Sequence, residues 1–101
     1  MKTLLKFEAD WCGPCKQVKP VVKDVIEEHD DQVELKTIDV DKAENQELVR
    51  EHGIRAVPTF VLMEGDEVLN TYQGTISRSD LKQFIEGKMD DTDIPLVARS
   101  I

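Results

Sequence analysis

Three observations predict a mixed α/β domain in the order βαβαββα. Apolar residues cluster or alternate over short stretches at 4–7, 33–40 and 57–63, as strands require, and recur at three- and four-residue spacing between them, as helices require. Turn signals at Asp30-Asp31, Gly53, Gly65-Asp66 and Gly74 separate those stretches. A length of 101 residues with 40% apolar content fits one domain able to bury its own core.

Leu4, Leu5 and Phe7, flanked by Thr3 and Ala9, form the first strand. Val18, Val21, Val22, Val25 and Ile26 then mark a helix of about four turns running toward His29, which Pro20 is expected to kink. Asp30 and Asp31 turn the chain into a second strand carrying Val33, Leu35, Ile38 and Val40. A helix lies between these two strands, so they pair in parallel through a right-handed crossover. Residues 41–52 hold Leu48 and Val49 among charges and stop at Gly53, which predicts a short helix with a glycine C-cap. Residues 57–63 read as one buried strand opening on Pro58, where no ladder bond need be donated. Gly65-Asp66 turns it into an antiparallel partner with Val68, Leu69 and Tyr72, ended by Gly74. Ser77 with Asp80 resembles a capping box, and Leu81, Phe84 and Ile85 give the last helix its apolar stripe. The domain spans residues 1–89 and a tail 90–101, with no repeat, low-complexity segment or internal linker.

The formal charge of −8, from 21 acidic against 13 basic residues, argues against nucleic-acid or anionic-membrane binding, as no basic block interrupts it. Lys6 breaks the only N-terminal apolar run, so neither a signal peptide nor a membrane span is expected, and the default location is the cytoplasm. In that reducing compartment a cysteine pair is catalytic more often than structural.

Both cysteines lie in Trp11-Cys12-Gly13-Pro14-Cys15, where the strand pattern gives way to the helix pattern. This spacing reads as a redox dithiol. Pro14 fits a first helical turn without wasting a donor, and Gly13 is expected to allow the tight turn before it. A sulfur at a helix N-terminus meets unpaired N–H groups and the positive dipole end, so Cys12 ionises readily and is the nucleophile. Cys15, one turn on, is the resolving thiol that releases a mixed disulfide. No metal or organic cofactor is required. A zinc site shares the spacing but would need ligands the sequence lacks: there is no third cysteine, and His29 and His52 stand far apart. A structural staple is disfavoured because so short a loop restrains the unfolded chain little.

WCGPC, Pro20, the run Gly53-Ile54-Arg55-Ala56-Val57-Pro58-Thr59, a turn glycine and Gly74 together resemble the thioredoxin family, over residues 4–88. The resemblance implies a four-stranded mixed sheet flanked by three helices and a cis Val57–Pro58 bond facing the cysteines. Without it, Pro58 is an ordinary strand start. It further implies that Trp11, Ala56, Val57, Pro58 and Gly74 form the substrate-contact surface, gripping an extended peptide by short β-like pairing. Against that stands the plainer reading of Ala56 and Val57 as core and of Gly74 as a turn.

The chain departs from the family in opening directly on the cysteine-bearing strand, where members normally carry a strand and helix first. The family's buried aspartate, proton acceptor for the resolving cysteine, falls on Lys6; the aromatic two residues on falls on Glu8, and the aspartate's lysine partner near Thr37. Lys6 and Glu8 share one strand face and are expected to form a solvated pair on a wetter sheet. The sharper alternative is that Lys6 favours a thiolate and raises the reduction potential. Loss of the first strand would leave the second-strand edge open, and Ile94, Leu96 and Val97 in the tail are candidates to dock over that vacated edge or face, the alternative being a tail that is disordered or holds a partner.

The leading functional expectation is a monomeric thiol–disulfide oxidoreductase that reduces protein disulfides and is itself reduced by a thioredoxin reductase or equivalent donor. A glutaredoxin-like or oxidising exchanger is the alternative within that chemistry. From another class comes a thioredoxin-fold binding subunit whose dithiol is incidental. His29 and His52 are expected at helix ends, without a role.

Overall fold

The computed structural model describes residues 1–88 and 99–100. Four strands form one mixed sheet in the order β2-β1-β4-β5. They are β1 (Lys2–Glu8), β2 (Val33–Asp39), β4 (Thr59–Glu64) and β5 (Glu67–Gln73), joined by helices α1 (Gly13–Glu28), α2 (Gln46–Glu51) and α3 (Arg78–Ile85). Two two-residue strands, β3 (Ala56–Val57) and β6 (Arg99–Ser100), pair with each other outside that sheet.

β1 and β4 are the two inner strands of this sheet, and β1 sends apolar side chains to both of its faces. It runs parallel to β2, with Leu4 opposite Leu35, and antiparallel to β4, with Leu4 opposite Leu62. Leu4 points into a core built with Val18, Val22 and Val25 of α1, Phe60 and Leu62 of β4, and Leu81, Phe84 and Ile85 of α3. Leu5 and Phe7 point the other way, into a second core with Ile38, Val61, Val57 and both cysteines. The dithiol is thus anchored from beneath by the sheet.

α1 runs unbroken through Pro20. Ion pairs tie it to α3 across the surface, Asp24 to Arg78 at 2.8 Å and Glu28 to Lys82 at 2.9 Å. The Lys82 hydrogen bond, and behind it the charge of Arg78, hold the Glu28 carboxyl below its ordinary value. A carboxyl lowered in this way supports the fold above the ordinary carboxylate range and loses that support as pH falls through the lowered value.

Two elements differ from the sequence expectation. Residues 41–52 split into a 3-10 turn, Ala43–Asn45, and the short α2. The stretch 57–63 is two strands, because a cis peptide at Val57–Pro58 diverts the chain between them. β2 is an edge strand of the main sheet, and its exposed residues include the charged Glu34 and Lys36, which discourage edge pairing. The described part of the tail, β6, pairs with β3 and not with β2, while Ile94, Leu96 and Val97 lie outside the described residues.

Candidate active site

β1 ends at Glu8 and the chain turns at once, the Cys12 N–H donating to the Ala9 carbonyl at 3.1 Å. Cys12 is the N-cap of α1, in extended conformation, and its sulfur accepts the Cys15 N–H at 3.1 Å. Pro14 occupies the first turn, where no intrahelical donor is lost. Cys12 and Cys15, 5.3 Å apart between Cα atoms, are joined as a disulfide. In the reduced protein the same N–H and helix dipole favour Cys12 as the thiolate. Gly13 does not serve the expected turn: it is already helical, its φ is not positive, and an added Cβ would meet nothing within 4 Å. A side chain there would project into open space.

The 56–59 segment lies against Cys12. The Val57 carbonyl oxygen is 3.6 Å from Cys12 Sγ, near enough for a Cys12 thiol to donate to it. Two bonds fasten this segment. Thr59 Oγ1 donates to the Ala56 carbonyl at 2.7 Å, and the Gly74 N–H donates to the Pro58 carbonyl at 2.8 Å. Gly74 takes φ 108°, a conformation side chains resist, so its glycine has a backbone reason. Ala56 and Val57 are themselves buried, which leaves their backbone as what a peptide could meet.

Trp11 is 43% exposed beside Cys12, and its Nε1 donates to Asp41 Oδ2 at 2.8 Å. Asp41 in turn donates its N–H to Asp39 Oδ1 at 2.9 Å. Asp41 and Thr59 were not among the sequence candidates. Asp41 had a usable signal: β1 and β2 are parallel, so the residues following both strands emerge at the same end of the sheet.

Lys6 is buried, correcting the expected solvated pair. Its Nζ meets Glu8 Oε1 at 2.8 Å, with side-chain exposures of 4% and 27%. Both head a groove of about 390 Å³ floored by Val22, Ile26 and Leu35, which leaves Glu8 open to water on one side. The cost of burying an ammonium is met by this one carboxylate. Glu8→Ala is therefore expected to destabilise by about 2 kcal/mol, less than for a fully buried pair because Glu8 is partly wet. Lys6→Met, which removes the charge and keeps the stem, should be near neutral, and equal losses in urea unfolding would refute this account.

Of the predicted residues, the structure packs Val57 with Cys12 and Cys15; Pro58 follows it in the chain and is bonded to Gly74, and Trp11 adjoins Cys12 in sequence. His29 and His52 stand at the C-caps of α1 and α2, as expected. Among the described residues no group of three or more His, Cys, Asp or Glu side chains is placed to hold a metal ion.

Residues 1–87 match the sequence model of the thioredoxin family. The thioredoxin of Bacillus subtilis is 35% identical over 82 residues, 81% of this chain and 77% of that protein. Among solved structures, the germline-specific thioredoxin Deadhead of Drosophila melanogaster superposes with a TM-score of 0.77 at 31% identity, covering 87% of this chain and 81% of that one. A mutant thioredoxin from Halobacterium salinarum gives 0.76 at 39% identity, covering 88% and 75%.

Proposed function

The chain belongs to the thioredoxin family, and we propose that within it this protein works in the reducing direction, on protein disulfides, in the cytoplasm. It is a thiol–disulfide oxidoreductase, and one observation carries its chemistry: Cys12 and Cys15 are joined across the first turn of α1, the Cys12 sulfur accepting the Cys15 N–H. In the reduced protein the Cys12 thiolate attacks one sulfur of a substrate disulfide. A Cys12–substrate bond forms, the substrate S–S bond breaks, and its other sulfur leaves as a thiolate that takes a proton. Cys15 then gives up its proton and attacks Cys12 Sγ. The internal disulfide closes, the second substrate thiolate is released, and two electrons have passed to the substrate.

An extended substrate segment fits beside Val57, where a backbone edge adjoins the reacting sulfur; Trp11, Ala56, Pro58 and Gly74 would bound it. A thioredoxin reductase or equivalent donor would return the disulfide to the dithiol, and the chain would act as a monomer.

Equilibration against dithiothreitol buffers tests the direction. A potential near about −270 mV supports a general reductant, whereas one near about −200 mV favours glutaredoxin-like or oxidising work. Lys6 is the proposed tuning residue. Glu8 offsets much of its field at 2.8 Å, so Lys6→Gln is expected to make the potential more negative by about 15–30 mV, a three- to tenfold change in the exchange equilibrium. An unchanged potential removes Lys6 from the mechanism.

A further inference from the structure

β3 belongs to no part of the main sheet, yet its backbone is paired: Ala56 lies opposite Ser100 and Val57 opposite Arg99, in antiparallel register. These are the residues beside which the proposed peptide substrate would lie. A strand edge accepts one partner at a time, because each N–H and C=O on it makes one ladder bond. The second observation is at the sulfur. Cys12 exposes none of its surface, although its neighbours Trp11 and Gly13 are exposed. Thiol–disulfide exchange needs the attacking atom in line with the sulfur it displaces, and a sulfur without exposed surface offers no such approach. In one and the same structure, then, the β3 edge is occupied and the Cys12 sulfur is buried.

We propose that the C-terminal strand Arg99–Ser100 is an internal pseudosubstrate that occupies the peptide-accepting edge of β3 and shuts the dithiol until a substrate displaces it. The proposal rests on the reading of β3 as the substrate edge. Because the strand is tethered, it competes at high effective concentration, yet a two-residue ladder is weak. Protein substrates that pair along β3 displace it, and disulfides too small to pair do not. The tail thereby discriminates between extended protein segments and small disulfides, a selectivity the dithiol alone would lack.

Two variants test this: deletion of residues 99–101, and the double substitution R99P/S100P, which keeps the length but removes both N–H donors of β6. Among the described residues the buried members of both cores lie between Leu4 and Ile85, outside the segment that either variant changes. The first readout is the rate at which dithiothreitol reduces the Cys12–Cys15 disulfide, a measure of access alone. The second is KM for insulin disulfide reduction. Both variants should be reduced by dithiothreitol about ten-fold faster than the full chain, the factor expected for one or two lost hydrogen bonds, with a lower KM for insulin. A peptide of residues 89–101 added to the deletion variant should reverse both changes. Equal dithiothreitol rates in the full chain and both variants would overturn the proposal, while insulin reduction could still uphold the oxidoreductase. Faster dithiothreitol reduction with no insulin turnover by any form would uphold the closure and overturn the protein-disulfide reading.

Discussion

Cys15→Ser is expected to stop turnover and leave Cys12 trapped in a mixed disulfide with its protein substrate, whereas Cys12→Ser should lose the attack and the trapped species alike. The difference follows from where the two sulfurs sit. Cys12 caps α1 and accepts the Cys15 N–H, a bond made by the backbone of residue 15 and so retained when its side chain becomes a hydroxyl. The thiolate at position 12 therefore keeps its helix-end stabilisation in Cys15→Ser. What is lost is the second nucleophile, and the covalent intermediate persists. A serine at position 12 still caps the helix, serine being a favoured N-cap residue, so Cys12→Ser should fold while its hydroxyl stays un-ionised and inert.

Non-reducing gels after incubation with insulin check both outcomes, with stability compared against the reduced wild type. That reference matters because closing so short a loop contributes about 2 kcal/mol to the oxidised form by chain entropy alone. A binding subunit with an incidental dithiol would behave otherwise, since replacing both cysteines would leave its function intact. Mixed disulfide at equal levels in the two single variants would assign the roles of the sulfurs wrongly.

The elements that periodicity could reach were legible. β1 and α1 follow from their apolar spacing, α3 from its stripe and from Ser77, whose Oγ accepts the Asp80 N–H at 3.1 Å as the capping pattern implies. Gly53 and Gly65 both take φ 61° at the turns their sequence marked. The cysteine pair was legible because its spacing and its place at a strand-to-helix switch are both local. What failed was not local. Residues 57–63 form one apolar run, and hydrophobicity alone cannot show that the strand is interrupted at a cis Val57–Pro58 bond; only the family resemblance carried that bond. Lys6 read as solvated because charge normally marks a wet face, but Glu8 two residues along the strand points the same way and makes the burial tolerable. The Trp11–Asp41 bond and the pairing of β6 with β3 join distant positions, for which a single sequence offers no periodic signal.

Phe84→Ala is expected to cost about 3–5 kcal/mol, the range for truncating a fully buried aromatic. α3 has eight residues, too few to persist without packing, so it holds its place through Leu81, Phe84 and Ile85, each at most 2% exposed. Phe84 is also the end of an aromatic row: its ring meets Tyr72 edge-on at 6.0 Å, and Tyr72 meets Phe60 at 6.4 Å. Tyr72 is held by its own hydroxyl, which donates to the Thr75 carbonyl at 3.1 Å, so it cannot swing freely into the space an alanine leaves. The cavity should stay open and the loss fall in the upper part of the range. For a domain of this size the melting temperature should drop by about 4–8 °C for each kcal/mol. Phe84→Leu refills most of the volume and should cost well under half as much, which separates packing from any special need for a ring. Phe84 belongs to the core on the α1–α3 side, while both cysteines belong to the other. The reduction potential of the folded variant should therefore match the wild type, and a shifted potential would mean that the two cores are coupled through the sheet.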